Sequence, residues 1–146
     1  MSQTKLRLEV ITQERKLLEV EVEQITLMTS TGEVTILPGH MNLFSRLAPG
    51  VLQYKEKGVT HYLAVYGGFM DISASDRVSI LADAAERAED IDLERVEAAK
   101  AKAEKTLEGQ FETPQDFTMA ETALRQIYLR QKVARLHRSG TGRKPV

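Results

Sequence analysis

The chain of 146 residues contains no cysteine. Disulfides and thiolate metal sites are thereby excluded, and a cytosolic setting is favoured. No apolar run approaches the ~20 residues that cross a bilayer as a helix. The opening stretch MSQTKLRLEVIT has no apolar segment of the kind a secretory leader carries, so no leader is expected. Membrane association is expected only through a partner. Catalytic signatures are missing too. There is no G-x-x-x-x-G-K-[ST] to cradle phosphates and no G-x-S-x-G nucleophile elbow. The three histidines, His40, His61 and His137, have no ligand spacing to one another. Neither a catalytic nor a metal site is expected.

Charge of one sign is also missing locally. Beyond Glu121 there is no acidic residue, while Arg125, Arg130, Lys132, Arg135, Arg138, Arg143 and Lys144 are basic. Cations near a helix C-terminus interact favourably with its dipole, which accounts for the last two or three. The whole set points to an anionic partner. Nucleic acid is disfavoured, because Tyr128 is the single aromatic in that stretch and stacking platforms need more.

What is present divides into two textures. From residue 5 to about 82, short alternating runs predict strands. Leu6, Leu8 and Val10 alternate with Lys5, Arg7 and Glu9, and Leu18, Val20 and Val22 alternate with Glu19, Glu21 and Glu23. Ile25–Leu27, Val34–Ile36, Val51–Tyr54, Tyr62–Val65, Phe69–Ile72 and Val78–Ala82 continue the series. Many short strands without intervening helices argue a β-sandwich or barrel. Gly67-Gly68 inside a strand pattern predicts a bulge or a close backbone approach. From Ala84 onward the chain is rich in Ala, Glu, Lys, Arg and Leu. Leu93, Val96, Ala99, Ala103 and Leu107 form a helical stripe, with Asp92 as N-cap and Gly109 as stop. A second helix starts at Thr113 as cap, followed by Pro114, with Asp116 three residues after the cap. Phe117, Ala120, Leu124, Ile127, Gln131 and Ala134 make its stripe. Leu129, Val133 and Leu136 fall on the opposite side, so they meet either the strand domain or a second environment. The fold class is α+β, with domains at 1–84 and 85–146.

GEVTILPGHMNL raises a separate question. Pro38-Gly39 suits a tight turn. His40 is left over, and a contact surface is favoured over a catalytic histidine because no nucleophile or orienting carboxylate is identifiable beside it.

The stretches GEVTILPGHMNLFSRLAPG, YLAVYGGFMDIS and VSILADAAERAEDID, followed by an Ala/Lys/Glu-rich helical hairpin, resemble the ε subunits of bacterial F-type ATP synthases, the counterparts of the mitochondrial δ subunit. The resemblance covers residues 5 to about 138. It departs at Thr35, where many members have Gly, and in the tail SGTGRKPV.

The resemblance implies an N-terminal β-sandwich followed by a two-helix hairpin. It implies a non-catalytic central-stalk subunit on the cytoplasmic face of the cell inner membrane, coupling the γ subunit to the c ring for proton-driven ATP synthesis. Glu33 and His40 would face the c ring. The C-terminal helix, with Arg125, Arg130, Lys132 and Arg135, would reach the α/β catalytic subunits and inhibit ATP hydrolysis. Some members bind regulatory ATP through Ile-Asp-x-x-Arg-Ala. Here Ile91-Asp92-Leu93-Glu94-Arg95-Val96 departs at its last position. Glu86 and Arg130 match further positions, whereas Lys102 and Gln126 replace arginines, so weak binding or none is expected. No other cofactor is implied. The alternatives are a small hydrolase using His40 and a nucleic-acid-binding module using the tail.

Overall fold

In the computed structural model, residues 5–142 are described, and Arg143 and Lys144 lie outside them. The chain divides into two units between Arg87 and Ala88.

The first unit is built from β1 (Leu6–Ile11), β2 (Lys16–Val22), β3 (Gln24–Thr29), β4 (Gly32–Ile36), β5 (Leu43–Glu56), β6 (Val59–Ser73), β7 (Arg77–Ala82) and β8 (Ala85–Arg87). The order is β2-β1-β7-β6-β5-β3-β4, with β8 also on β6. Pairing is antiparallel except between β1 and β7, which run parallel. Leu6, Leu8 and Val10 of β1 share one core with Ile25 and Leu27 of β3, although these strands stand far apart in that order. The sheet therefore folds over on itself into a sandwich.

The strands that make this fold-over are longer than the sequence predicts. β5 has 14 residues and β6 has 15. The predicted runs Tyr62–Val65 and Phe69–Ile72 are one strand. Gly67 and Gly68 do not break it: both hold positive φ, 107° and 127°. A Cβ on Gly68 would lie 2.1 Å from the Leu81 carbonyl oxygen, so the close backbone approach is real and only glycine fits. Two further differences follow from register. A shift at Val10/Ile11 opposite Lys16 leaves Leu17 buried, while Leu18 and Val20 are only partly buried against the core. The Ala85–Arg87 segment, grouped by composition with the helices, is a strand. It continues the β7 register on β6 through the Asp83 N–H to Gly67 carbonyl and Tyr66 N–H to Ala84 carbonyl bonds, at 3.0 and 2.9 Å.

The second unit holds a short 3-10 turn at Ala88–Asp90, α1 (Leu93–Leu107) and α2 (Pro114–Gly142). Asp92 caps α1, accepting from the N–H groups of Glu94 and Arg95 at 3.1 and 3.4 Å. Thr113 Oγ1 caps α2 by accepting from the Asp116 N–H at 3.1 Å. α1 ends on Glu108 in right-handed geometry, not on a left-handed Gly109. α2 runs 29 residues, beyond Ala134, where the predicted stripe ends. Of its two apolar sides, Leu124 and Ala134 are buried on one and Val133 on the other.

Candidate functional site

The Pro-Gly-His turn has a definite build. The His40 N–H donates to the Leu37 carbonyl at 3.2 Å, and Gly39 at the third position has φ 87°. That is a type II turn, which requires glycine there and favours proline before it. Asp76 Oδ1 accepts from the Gly39 N–H at 2.8 Å and ties the turn to the β6–β7 connection. The His40 ring shares a hydrogen bond with the Met41 carbonyl at 2.8 Å through Nδ1. Glu33 is exposed near the start of β4, opposite Met28. Glu33 and His40 therefore lie along one sheet edge but not side by side, since Glu33 to Ile36 alone spans about 10 Å at ~3.3 Å per residue. The Thr35 departure is explained locally: its hydroxyl hydrogen-bonds that of cross-strand Thr26 at 2.9 Å.

The loop leads directly into an apolar face that the sequence reading did not single out. Met41 is 78% exposed and Phe44 65%. Phe44 stacks on Phe69 with centroids 5.5 Å apart, and the Arg46 guanidinium lies 5.6 Å from the Phe69 ring centre. Register continues the row outward: Arg46 pairs with Phe69, Phe69 with Leu81, and Leu81 with Ile11. Phe69 is 39% exposed and Leu81 48%. A groove of about 390 Å³ lined by Arg46, Pro49, Tyr66 and Asp83, among others, adjoins this row. The signal was present in the sequence: Met70 and Ile72 point inward, so Phe69 points out, and the same phase exposes Leu81.

In the helical unit the cations differ in company. Arg125 pairs with Glu121 at 3.7 Å, one turn earlier on α2. Arg135 crosses to Glu97 of α1 at 3.0 Å. Lys132 is exposed, and Arg130 is half-buried. The Tyr128 hydroxyl donates to Glu104 at 2.9 Å, and Lys100 sits 5.6 Å from the Tyr128 ring centre. The hydrogen bond to Glu104 raises the Tyr128 phenol above its ordinary pKa.

Residues 5–88 match the family described as ATP synthase, Delta/Epsilon chain, beta-sandwich domain, and residues 89–134 match its long alpha-helix domain. The ATP synthase epsilon chain of Herpetosiphon aurantiacus is 42% identical over 134 residues, covering 92% of this chain and 97% of that relative. The chain belongs to the ATP synthase delta/epsilon family. Another curated relative, the ATP synthase epsilon chain of Citrifermentans bemidjiense, is 38% identical over 130 residues, 89% of this chain and 94% of its own. Among solved structures, a chain of the Euglena gracilis mitochondrial ATP synthase, described as OSCP/F1/c-ring in rotational state 1, superposes with a TM-score of 0.76 at 27% identity. That match covers 94% of this chain and 84% of that one. A chain of the Tetrahymena thermophila mitochondrial ATP synthase central stalk/c-ring shares the fold, with a TM-score of 0.60 at 18% identity over 92% of this chain and 99% of that one.

Within this delta/epsilon chain, the residues matched to a nucleotide site have separate engagements. Glu86 belongs to β8 and accepts from the Tyr66 hydroxyl at 2.7 Å. Asp92 is engaged as the α1 cap, with Arg95 3.9 Å away. The cross-helix pairs Glu97–Arg135 and Glu104–Tyr128 put Arg130 level with Lys102, about 10 Å along the axis from Arg95 at ~1.5 Å per residue. Asp92 and Arg95 are together; Arg130 is not beside them.

Proposed function

We propose that this chain is the non-catalytic epsilon subunit of an F-type ATP synthase, seated in the central stalk and coupling rotation of γ and the c ring to ATP synthesis. The observation that carries this reading is the outward row Phe44, Phe69 and Leu81, continuous with the Leu37–Met41 loop. Exposed apolar area rimmed by charge on a small sandwich marks a protein interface, and cation–π and stacked aromatics are typical of interface anchors. We assign the aromatic row to γ and the polar loop, with Glu33 and His40, to the c ring. As part of that complex the chain sits at the cytoplasmic face of the cell membrane; no described helix is long and apolar enough to cross one. In the helical unit, α2 with Arg125, Arg130, Lys132 and Arg135 regulates hydrolysis by engaging acidic surfaces of the α/β subunits. Regulatory ATP would find Asp92 already committed to a helix cap, so binding is expected to be weak or absent.

Co-purification tests the reading. The chain should pull down γ and the c ring from a detergent-solubilised membrane. Phe44→Glu with Leu81→Glu should lose γ while the isolated chain keeps its thermal unfolding midpoint. Glu33→Ala with His40→Ala should keep γ and weaken coupling. Retention of γ by the first double variant would overturn the assignment of the row, and absence of both subunits from the wild-type pull-down would overturn the function.

A further inference from the structure

Two pairs join α1 to α2 along one flank of the hairpin. Glu97 meets Arg135 at 3.0 Å, and Glu104 meets the Tyr128 hydroxyl at 2.9 Å. Both partners are spaced by seven residues, so two turns of each helix are clasped in register. Between and beside these contacts, α2 carries groups with no charged or hydrogen-bonding partner on α1. Tyr128, Gln131, Lys132, Arg135, Leu136 and Ser139 line a groove of about 370 Å³ on α2. Gln131 is only 7% exposed, yet no hydrogen bond joins its amide to any described residue. Lys132 likewise has no ion pair with a described residue. This flank of α2 thus presents an exposed cation, with a buried unpartnered amide beneath it, beside an arginine that a carboxylate already occupies.

We propose that Glu97 and Glu104 are built-in stand-ins for the acidic partner of α2. Held in the hairpin, they fill the positions that a partner's carboxylates would take at Arg135 and Tyr128. The groove beside exposed Lys132 admits the first partner carboxylate, which then competes with Glu97 for the neighbouring guanidinium. The inference rests on the reading of α2 as an inhibitory helix that seeks acidic surfaces. Arginine and carboxylate form the geometrically specific pair here, and that ion pair is solvent-exposed, so salt should loosen it.

The absence of cysteine makes the test direct, since labels can be placed without a background. Spin labels at Ala98→Cys and Gln126→Cys report the separation of α1 and α2 in the full chain. Glu97→Gln with Glu104→Gln should increase the separated population about three- to tenfold at low salt, as expected for the loss of one exposed ion pair and the weakening of one exposed hydrogen bond. Wild type should approach the same distribution at 1 M NaCl. Glu94→Gln with Glu108→Gln removes the same charge from α1 and should change nothing. If the Glu97/Glu104 variant matches wild type at low salt, or the Glu94/Glu108 control moves as far, the stand-in role is overturned. ATP hydrolysis by the assembled enzyme is the second readout: the Glu97/Glu104 variant should inhibit more strongly than wild type. Separation without any change in hydrolysis would uphold the clasp and overturn the inhibitory role of α2.

Discussion

Gly68 and Gly39 both hold positive φ, but for different neighbours. Beside Gly68 a Cβ would meet backbone of β7, the Leu81 carbonyl oxygen at 2.1 Å and the Ala82 Cα at 2.9 Å. Backbone cannot swing aside as a side-chain tip can. At Gly39 a Cβ would meet nothing within 4 Å. Gly68→Ala should therefore destabilise the sandwich by roughly 2–4 kcal/mol, combining strain with overpacking. Gly39→Ala should cost about 1–2 kcal/mol from φ alone. Urea unfolding of the two variants separates the cases, and equal losses would mean that the β6–β7 approach tolerates a methyl. The need for glycine at 67–68 was legible in the sequence as a close approach. That β6 runs straight through was not, because the apolar runs on either side of the pair are joined only by the register of the neighbouring strands. The outward aromatics were readable from phase alone, once Met70 and Ile72 are taken as inward.

Among elements, α2 raises the sharpest expectation. Its 29 residues span about 43 Å at ~1.5 Å per residue, and its cations are spread around the circumference rather than along one seam. Arg125→Glu with Arg130→Glu should raise ATP hydrolysis by the assembled enzyme, as deletion after Glu112 should, while synthesis is largely retained. Reversing a sign against a partly desolvated acidic partner costs more than neutralising an exposed pair. Equal hydrolysis by wild-type, reversed and truncated chains across salt concentrations would remove the inhibitory role. Caps and stripes made both helices readable, since Asp92 and Thr113 act through their own next turn. The Glu97–Arg135 and Glu104–Tyr128 clasps were not readable. Periodicity fixes which residues share a face of one helix, but register between helices depends on the loop and the packing. At the sandwich end the same limit hid Leu17, whose inward turn follows from a shift against β1.

For the whole molecule the division after Arg87 has a consequence for truncation. β8 adds three pairs to β6, Glu86 accepts from the Tyr66 hydroxyl at 2.7 Å, and the Arg87 guanidinium donates to the Leu17 carbonyl. A fragment of residues 1–87 should unfold in one cooperative step. A fragment of residues 1–84 should be less stable by about 1–3 kcal/mol, the scale of a few lost hydrogen bonds. Equal midpoints in urea would show that β8 is an appendage and not part of the sandwich. The parallel pairing of Arg7–Ile11 with Arg77–Leu81 adds a constraint of another kind. β1 leaves the ribosome before every other described strand, yet one of its two neighbours is made about seventy residues later. Until then β1 is paired on one edge only, by β2, and pairing across so long a separation forms slowly. β1 is thus made well before its second edge is covered, and a nascent chain stalled before Arg77 would present that strand edge to whatever first meets it.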